Sequence, residues 1–347
     1  MQKFKYIFFT LIIFAVFSCQ TVVEDIKLPY EERLVIQSFI SPQDTLLEVR
    51  VSKTRPVVGT FPLNQSYGLG YGSYQPIEGA TVEISDGNRK GIFQLQTIVN
   101  PLSFENDPNT GKVVPQSRRS YFLRAKDFPV IPGHTYTLTA KAPNLPDVTA
   151  SCTVPKLQLL NGKDFSILKG KTIDSLLSYS IYNNGKTYNY FDISRRFDVQ
   201  IKDFINEENY YAVAYYTRKV YQSKDEKGIF QSVTSTRQEG YSDFISDYKQ
   251  DGKLLNFRKA NIPLGSYSDS PNQQPNVETK TQFHIISIFI AITDKPYYQY
   301  NKALGNSQGI NNDDPFSEAI LTYTNINGGL GVFAGYNMTE IQFDLLK

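Results

Sequence analysis

Gly329, Gly331 and Ala334 stand at the spacing of the G-x-G-x-x-A dinucleotide fingerprint. In a nucleotide-binding unit such glycines let the backbone reach a pyrophosphate. A helix must open directly after them, and an acid about 20 residues further on holds the ribose. Only thirteen residues follow Ala334, and they alternate, with Met338, Glu340 and Gln342 against Thr339, Ile341 and Phe343. That is the period of a strand, so the pyrophosphate has no helix to meet. Asn327-Gly328-Gly329 reads instead as a turn. Gly331 and Gly335 read as bulges or close-approach points in the strand that returns from it.

Other residues with reactive chemistry lack the company they need. His134 and His284 are the two histidines, and neither has a second His or a Cys nearby in sequence. No metal site is expected, and His284, inside an apolar run, reads as a core group. Asp107-Pro-Asn109-Thr-Gly111 has the start of a calcium loop, but Arg118 stands where the closing glutamate belongs. Asp313-Asp314 reads as a solvated pair before Pro315. There is no G-x-S-x-G elbow. Cys152 lies in a strand pattern without a neighbouring His and reads as core. Spacing alone selects no pair of carboxylates for glycoside hydrolysis. The expectation is a non-enzymatic protein with no cofactor.

Two features point to location and contact. After Lys3 and Lys5, residues 6–17 form an apolar stretch broken by Thr10, and Ser18-Cys19 follows. This is too short to span a bilayer but has the size of a signal-peptide core. A small residue before a cysteine at that place is a lipoprotein processing site, with Phe17 bulkier than usual. Lipid on Cys19 would tether the mature chain to a membrane without spanning it. Cys152 would then have no disulfide partner. The second feature is the loop carrying Tyr67, Tyr71 and Tyr74 among glycines, a composition suited to binding loops.

The frame that must position these residues reads as β. Tyr and Phe number 24 and 23, Trp is absent, and the net charge of +2 has no basic stripe for nucleic acid. Turn dipeptides recur at Asp86-Gly87, Asn161-Gly162, Asn184-Gly185, Asp251-Gly252 and Asn327-Gly328. Residues 34–40 and 45–54 read as a hairpin, with Leu47, Val49 and Val51 on one face. Strands at 80–87, 120–125, 134–143 and 147–155 follow. Pro155 marks a boundary. Residues 173–183, 187–204, 209–222 and 280–293 then read as longer strands, and 209–222 is apolar on both faces. Residues 223–229 and 264–278 read as polar loops. Residues 296–306 read as a short helix, and the last segment as a closing hairpin. The organisation expected is a signal peptide over 1–18, a lipid-anchored tether over 19–31, an immunoglobulin- or transthyretin-like sandwich over 32–156, and a larger antiparallel β domain with one short helix over 157–347.

Several stretches, in order, carry a resemblance: ATVEISDG, PGHTYTLTAKAP with SCTVP, then ENYYAV, then PFSEA followed by TNINGGLGVFAGY. Together they resemble the Bacteroidota lipoproteins grouped as a domain of unknown function. The carrying residues are Asn209, Tyr210 and Tyr211, with Asn327, Gly328, Gly329, Gly331 and Phe333. The resemblance implies a cell-envelope lipoprotein, often encoded beside a SusC-type TonB-dependent receptor of the outer membrane. It implies no catalytic residue and names no ligand. The function expected is an outer-membrane accessory or ligand-capturing partner of such a receptor, facing the cell surface, with the periplasmic face as the alternative. A structural or adhesive envelope protein is the alternative, and a glycan-acting enzyme a third.

Overall fold

Period-2 alternation of apolar residues drives most of the chain into strands. The computed structural model describes residues 31–54, 76–106, 113–156, 165–169, 175–183, 186–224, 230–257, 260–269, 280–307 and 323–344. Cys19 lies outside these residues. So do Tyr67, Tyr71 and Tyr74, the Asp107–Gly111 stretch, the Asp313-Asp314 pair, and the turns at Asn161-Gly162 and Asn184-Gly185. The strands are β1 (Leu34–Ile40), β2 (Leu46–Lys53), β3 (Thr81–Ser85), β4 (Lys90–Asn106), β5 (Val113–Arg124), β6 (Thr135–Lys141), β7 (Val148–Thr153) and β8 (Phe165–Lys169). They continue as β9 (Ser175–Asn183), β10 (Lys186–Lys202), β11 (Tyr210–Lys224), β12 (Phe230–Ser246), β13 (Leu254–Asn256), β14 (Ala260–Asp269), β15 (Lys280–Thr293) and β16 (Leu330–Asp344). One helix, α1 (Lys295–Ser307), falls among the described residues. Among the described residues the protein is mainly β, with a large, mostly antiparallel sheet and one short helix.

Eleven strands form one sheet path, in the order β12-β11-β15-β16-β1-β2-β5-β4-β3-β6-β7. Every pairing in it is antiparallel except β1 with β16. The path bends until β7 meets the approach to β16, where Thr149 and Asn327 exchange backbone hydrogen bonds of 3.1 and 2.8 Å. The enclosed core holds Leu34, Ile36 and Ile40 of β1, Leu47, Val49 and Val51 of β2, and Val148, Ala150 and Cys152 of β7. Ile326 and Phe333, from the far end of the chain, sit in the same core. The sequence expectation divides the chain at residue 156, whereas this core also draws on residues 326–333.

The second core lies between sheets. β10 pairs with β8, β9, β13 and β14 in a separate five-stranded sheet. Ile201, Leu255 and Phe257 from that side pack with Tyr211, Val213, Ile288, Ile290 and Ile292 of β11 and β15. Residues 210–214 are all buried, since α1 also contacts β11. Helix α1 starts beside Pro296 and is capped by Asp294, whose Oδ1 accepts Tyr297 N–H at 2.9 Å. Its tyrosines close a third cluster in which Tyr297, Val332 and Ala334 pack with Phe39, Phe244, Tyr300 and Tyr336.

Two expectations are corrected. The C-terminal segment is no hairpin: residues 330–335 of β16 run parallel to β1, and residues 336–344 run antiparallel to β15. Among the described residues just before β16, Asn327 pairs with Thr149 of β7 rather than with β16. The polar loop placed at 264–278 begins later, since β14 continues to Asp269 paired to β10. Pairing to a long neighbour overrides the weak strand propensity of its Gly, Ser and Pro residues.

Candidate functional site

The signature residues at 325–335 build the place where β16 enters the first core. Asn325 acts as a one-residue strand. Its Oδ1 accepts Phe333 N–H at 3.0 Å, and its Nδ2 donates to the carbonyls of Phe333 at 2.7 Å and Ser151 at 3.2 Å. Phe333 is fully buried, and its backbone would otherwise be left unpaired on that edge. Asn327 and Gly328 make the turn, with Gly328 at a φ of 82°. Gly331 lies at a φ of 104°, and a Cβ there would stand 1.9 Å from the Ile36 carbonyl oxygen. Gly335 passes close over β7's exit, where a Cβ would be 3.0 Å from Val154 Cα. The glycines are therefore contacts of chain against chain, and Gly329 is buried in the same way beneath Val148. No phosphate cradle is formed, in agreement with the strand reading of the sequence.

The second signature group, Asn209 to Tyr211, opens β11. Asn209 N–H donates to Asp247 Oδ2 at 2.9 Å, and Asn209 Nδ2 to the Glu207 carbonyl at 3.3 Å. Tyr211 Oη donates to Asp203 Oδ1 at 2.7 Å. Burial, then the bond to Asp203, pushes the Tyr211 phenol far up. Tyr210 Oη donates to Glu208, and its ring lies 4.9 Å from that of Tyr298 on α1. Burial raises the Tyr210 phenol as well, while its hydrogen bond holds Glu208 below the usual carboxylate range. Neither tyrosine is poised as a base.

Asp203, Asp247 and Asp251 come together beside these residues, with carboxylate oxygens within 4.8 Å of one another. Oxygen donors of this kind suit Ca²⁺ or Mg²⁺. Each already serves the local chain: Asp203 Oδ2 accepts Gly252 N–H at 2.9 Å, and Asp251 Oδ1 accepts Asn206 N–H at 3.0 Å. Burial raises Asp247, with Asp203 and Asp251 adding repulsion. Beside this cluster, Ile205 and Tyr248 in turns and Leu254 at the start of β13 are exposed at 66, 72 and 49%. The sequence reading singled out Asp251-Gly252 as a turn but missed the two buried aspartates, which have no local motif. Cys152 is buried in the first core, with its thiol pushed well up by burial. His134 is exposed.

Fold and site together define a mainly β protein whose signature residues join strands and close turns. The chain belongs to the family described as Domain of unknown function (DUF4249), which matches residues 21–342. No curated protein matches it. Among solved structures it is compared with the M60 catalytic domain with the CBM51-1 and CBM51-2 domains from Clostridium perfringens ZmpB, at 8% identity and a TM-score of 0.11. The match covers 79% of this chain and 39% of that one. A score of that size carries no argument about fold or activity.

Proposed function

We propose that this protein is a lipid-anchored outer-membrane protein that serves, without catalysis, as an accessory or ligand-capturing partner of a TonB-dependent receptor of the SusC type. The observation that carries the reading is Ser18-Cys19 at the end of the apolar stretch 6–17. Among the described residues, no helix is long and apolar enough to cross a membrane. The folded body begins close behind the anchor. Thr54 Oγ1 accepts Arg33 N–H at 3.0 Å and donates to the Glu31 carbonyl at 3.1 Å, pinning the chain to the end of β2. Twelve residues from Cys19 to Glu31 reach about 40 Å at most. Tethering at that range raises the effective concentration beside a membrane receptor, so modest pairwise affinity suffices. The exposed Ile205, Tyr248 and Leu254 offer apolar contact for such a partner.

The test is Cys19→Ala. The variant should lose palmitate labelling, leave the membrane fraction, and lose in-cell cross-links to a receptor barrel. Unchanged fractionation would overturn the anchor. Wild-type protein that is lipidated but never cross-links to a barrel would overturn the partnership alone.

A further inference from the structure

Residues 203–209 join β10 to β11, and residues 247–253 join β12 to β13. The two segments are laced to each other. Asp203 N–H donates to the Lys253 carbonyl at 3.0 Å, and Asp247 N–H to the Asn209 carbonyl at 3.2 Å. The aspartate side chains return the bonds: Asp203 accepts Gly252 N–H, Asp247 accepts Asn209 N–H, and Asp251 accepts Asn206 N–H. The lacing keeps Asn206 and Lys249 at φ of 67° and 62°, a region that residues with side chains enter only at a cost. The shape of this tip is therefore set before any partner arrives, and binding to it orders little new chain.

The tip is apolar at its centre and charged at its rim. Tyr248 and Ile205 are the two most exposed large apolar residues among those described. Ile205 lies over Gly252, where a Cβ would come within 2.8 Å of Ile205 Cγ1. Leu254 stands at the base, paired across to Lys202. Lys249 reaches over the Tyr248 ring, with Nζ 5.1 Å from its centroid. Around this centre Lys202, Lys249 and Lys253 are exposed together with Glu207, Glu208 and Asp251, so the rim charges nearly cancel. An apolar centre inside a rim of both signs is the anatomy of a protein contact. A lipid surface is met instead by an excess of Lys and Arg, which this rim does not supply.

The direction of the strands turns this tip toward the anchor. β1 and β16 run parallel, β15 runs against β16, and β11 runs against β15. The beginnings of β1, β16 and β11 therefore lie toward one end of that part of the sheet. Residues 203–209 stand off the beginning of β11. Glu31, pinned to Thr54, stands off the beginning of β1, where the chain arrives from Cys19. Leu330, at the beginning of β16, adds another exposed apolar side chain at that end.

We propose that the laced tip of residues 203–209 and 247–254 is the surface by which this protein docks on the membrane receptor, with its anchored end foremost. Tyr248 and Ile205 enter an apolar socket on that protein, and the rim meets charges of both signs around it. The proposal rests on the reading of the chain as a lipid-anchored receptor partner, and adds to it which end of the body makes the contact. Asp203, Asp247 and Asp251 act as positioning residues, since they hold the two segments together without facing the partner.

The experiment is in-cell photo-cross-linking of the full lipidated chain. A photo-reactive phenylalanine analogue is placed at position 248 and, in separate chains, at 92 and 99, where Ile92 and Val99 are exposed away from the tip. Products are identified by mass spectrometry. Position 248 should capture an outer-membrane barrel, and positions 92 and 99 should not. Ile205→Ser/Tyr248→Ser should cut barrel recovery in a mild-detergent pull-down by at least about tenfold. Palmitate labelling, membrane fractionation and amide exchange at 211–213 should stay as in wild type. If the double variant does not fold, Tyr248→Ser alone should show the fall. A barrel captured from 92 or 99 but not from 248, lipid captured from 248 in place of protein, or undiminished recovery in the variant overturns the docking surface and leaves the partnership standing. No barrel from any of the three positions overturns the partnership, and the docking surface with it.

Discussion

The two main cores bury similar residues by different geometry. Around the first core β1 and β2 are buried strictly on alternate residues, because one face packs inward and the other meets solvent or α1. Around the second, residues 210–214 of β11 are buried without a break, since the β10 sheet covers one face and α1 the other. The first arrangement tolerates polar residues at every second position. The second tolerates them only where a partner is supplied, as Asp203 supplies one to Tyr211. β16 belongs to both arrangements in turn. Phe333 faces the first core, Val332 and Ala334 face α1, and Ile341 packs against the second core.

The largest expected effect comes from breaking the strand they share. Gly331→Val places atoms against the Ile36 carbonyl at a φ that side chains rarely adopt, with a cost of about 4 kcal/mol or outright failure to fold. Chemical denaturation should show both cores weakened together; loss confined to one would separate them. Asn325→Ala strips the side-chain partner from Phe333 and leaves a buried N–H and C=O unpaired, for about 2 to 3 kcal/mol. Hydrogen exchange should then rise at 330–335 and at 149–153 and stay unchanged at 211–213. Tyr211→Phe is the smallest and the converse. It removes one buried bond to Asp203, costing about 1 to 2 kcal/mol, and should raise exchange at 203–213 with no response in β1 or β2.

The difference between the cores also explains which elements the sequence made legible. Leu47, Val49 and Val51 alternate, and β2 is found where that alternation stands. The continuous apolar run of β11 is readable as a central strand for the same physical reason. Helix α1 is marked by Pro296 at its start and Gly305-Asn306 near its end. β12 and β14 are long and polar, carry no alternation strong enough to see, and owe their form to the neighbours β11 and β10. The partner of β16 was unreadable because parallel pairing needs no turn between the strands, so no local residue announces it. Of the site, the glycines were legible as close approaches, whereas Asp203, Asp247 and Asp294 gain their meaning only from what folding brings beside them.

The parallel pairing of Val35 with Leu330 has a consequence in time. On the ribosome Val35 is made 295 residues ahead of the Leu330 it pairs with. At the pace of synthesis, the open edge of β1 waits on the order of tens of seconds for the segment that closes it. Through that interval the early strands form an unfinished sheet with a free edge, the kind that attracts other strands. The edge of β1 must therefore be shielded, or the chain kept extended, until residues 330–335 have been made.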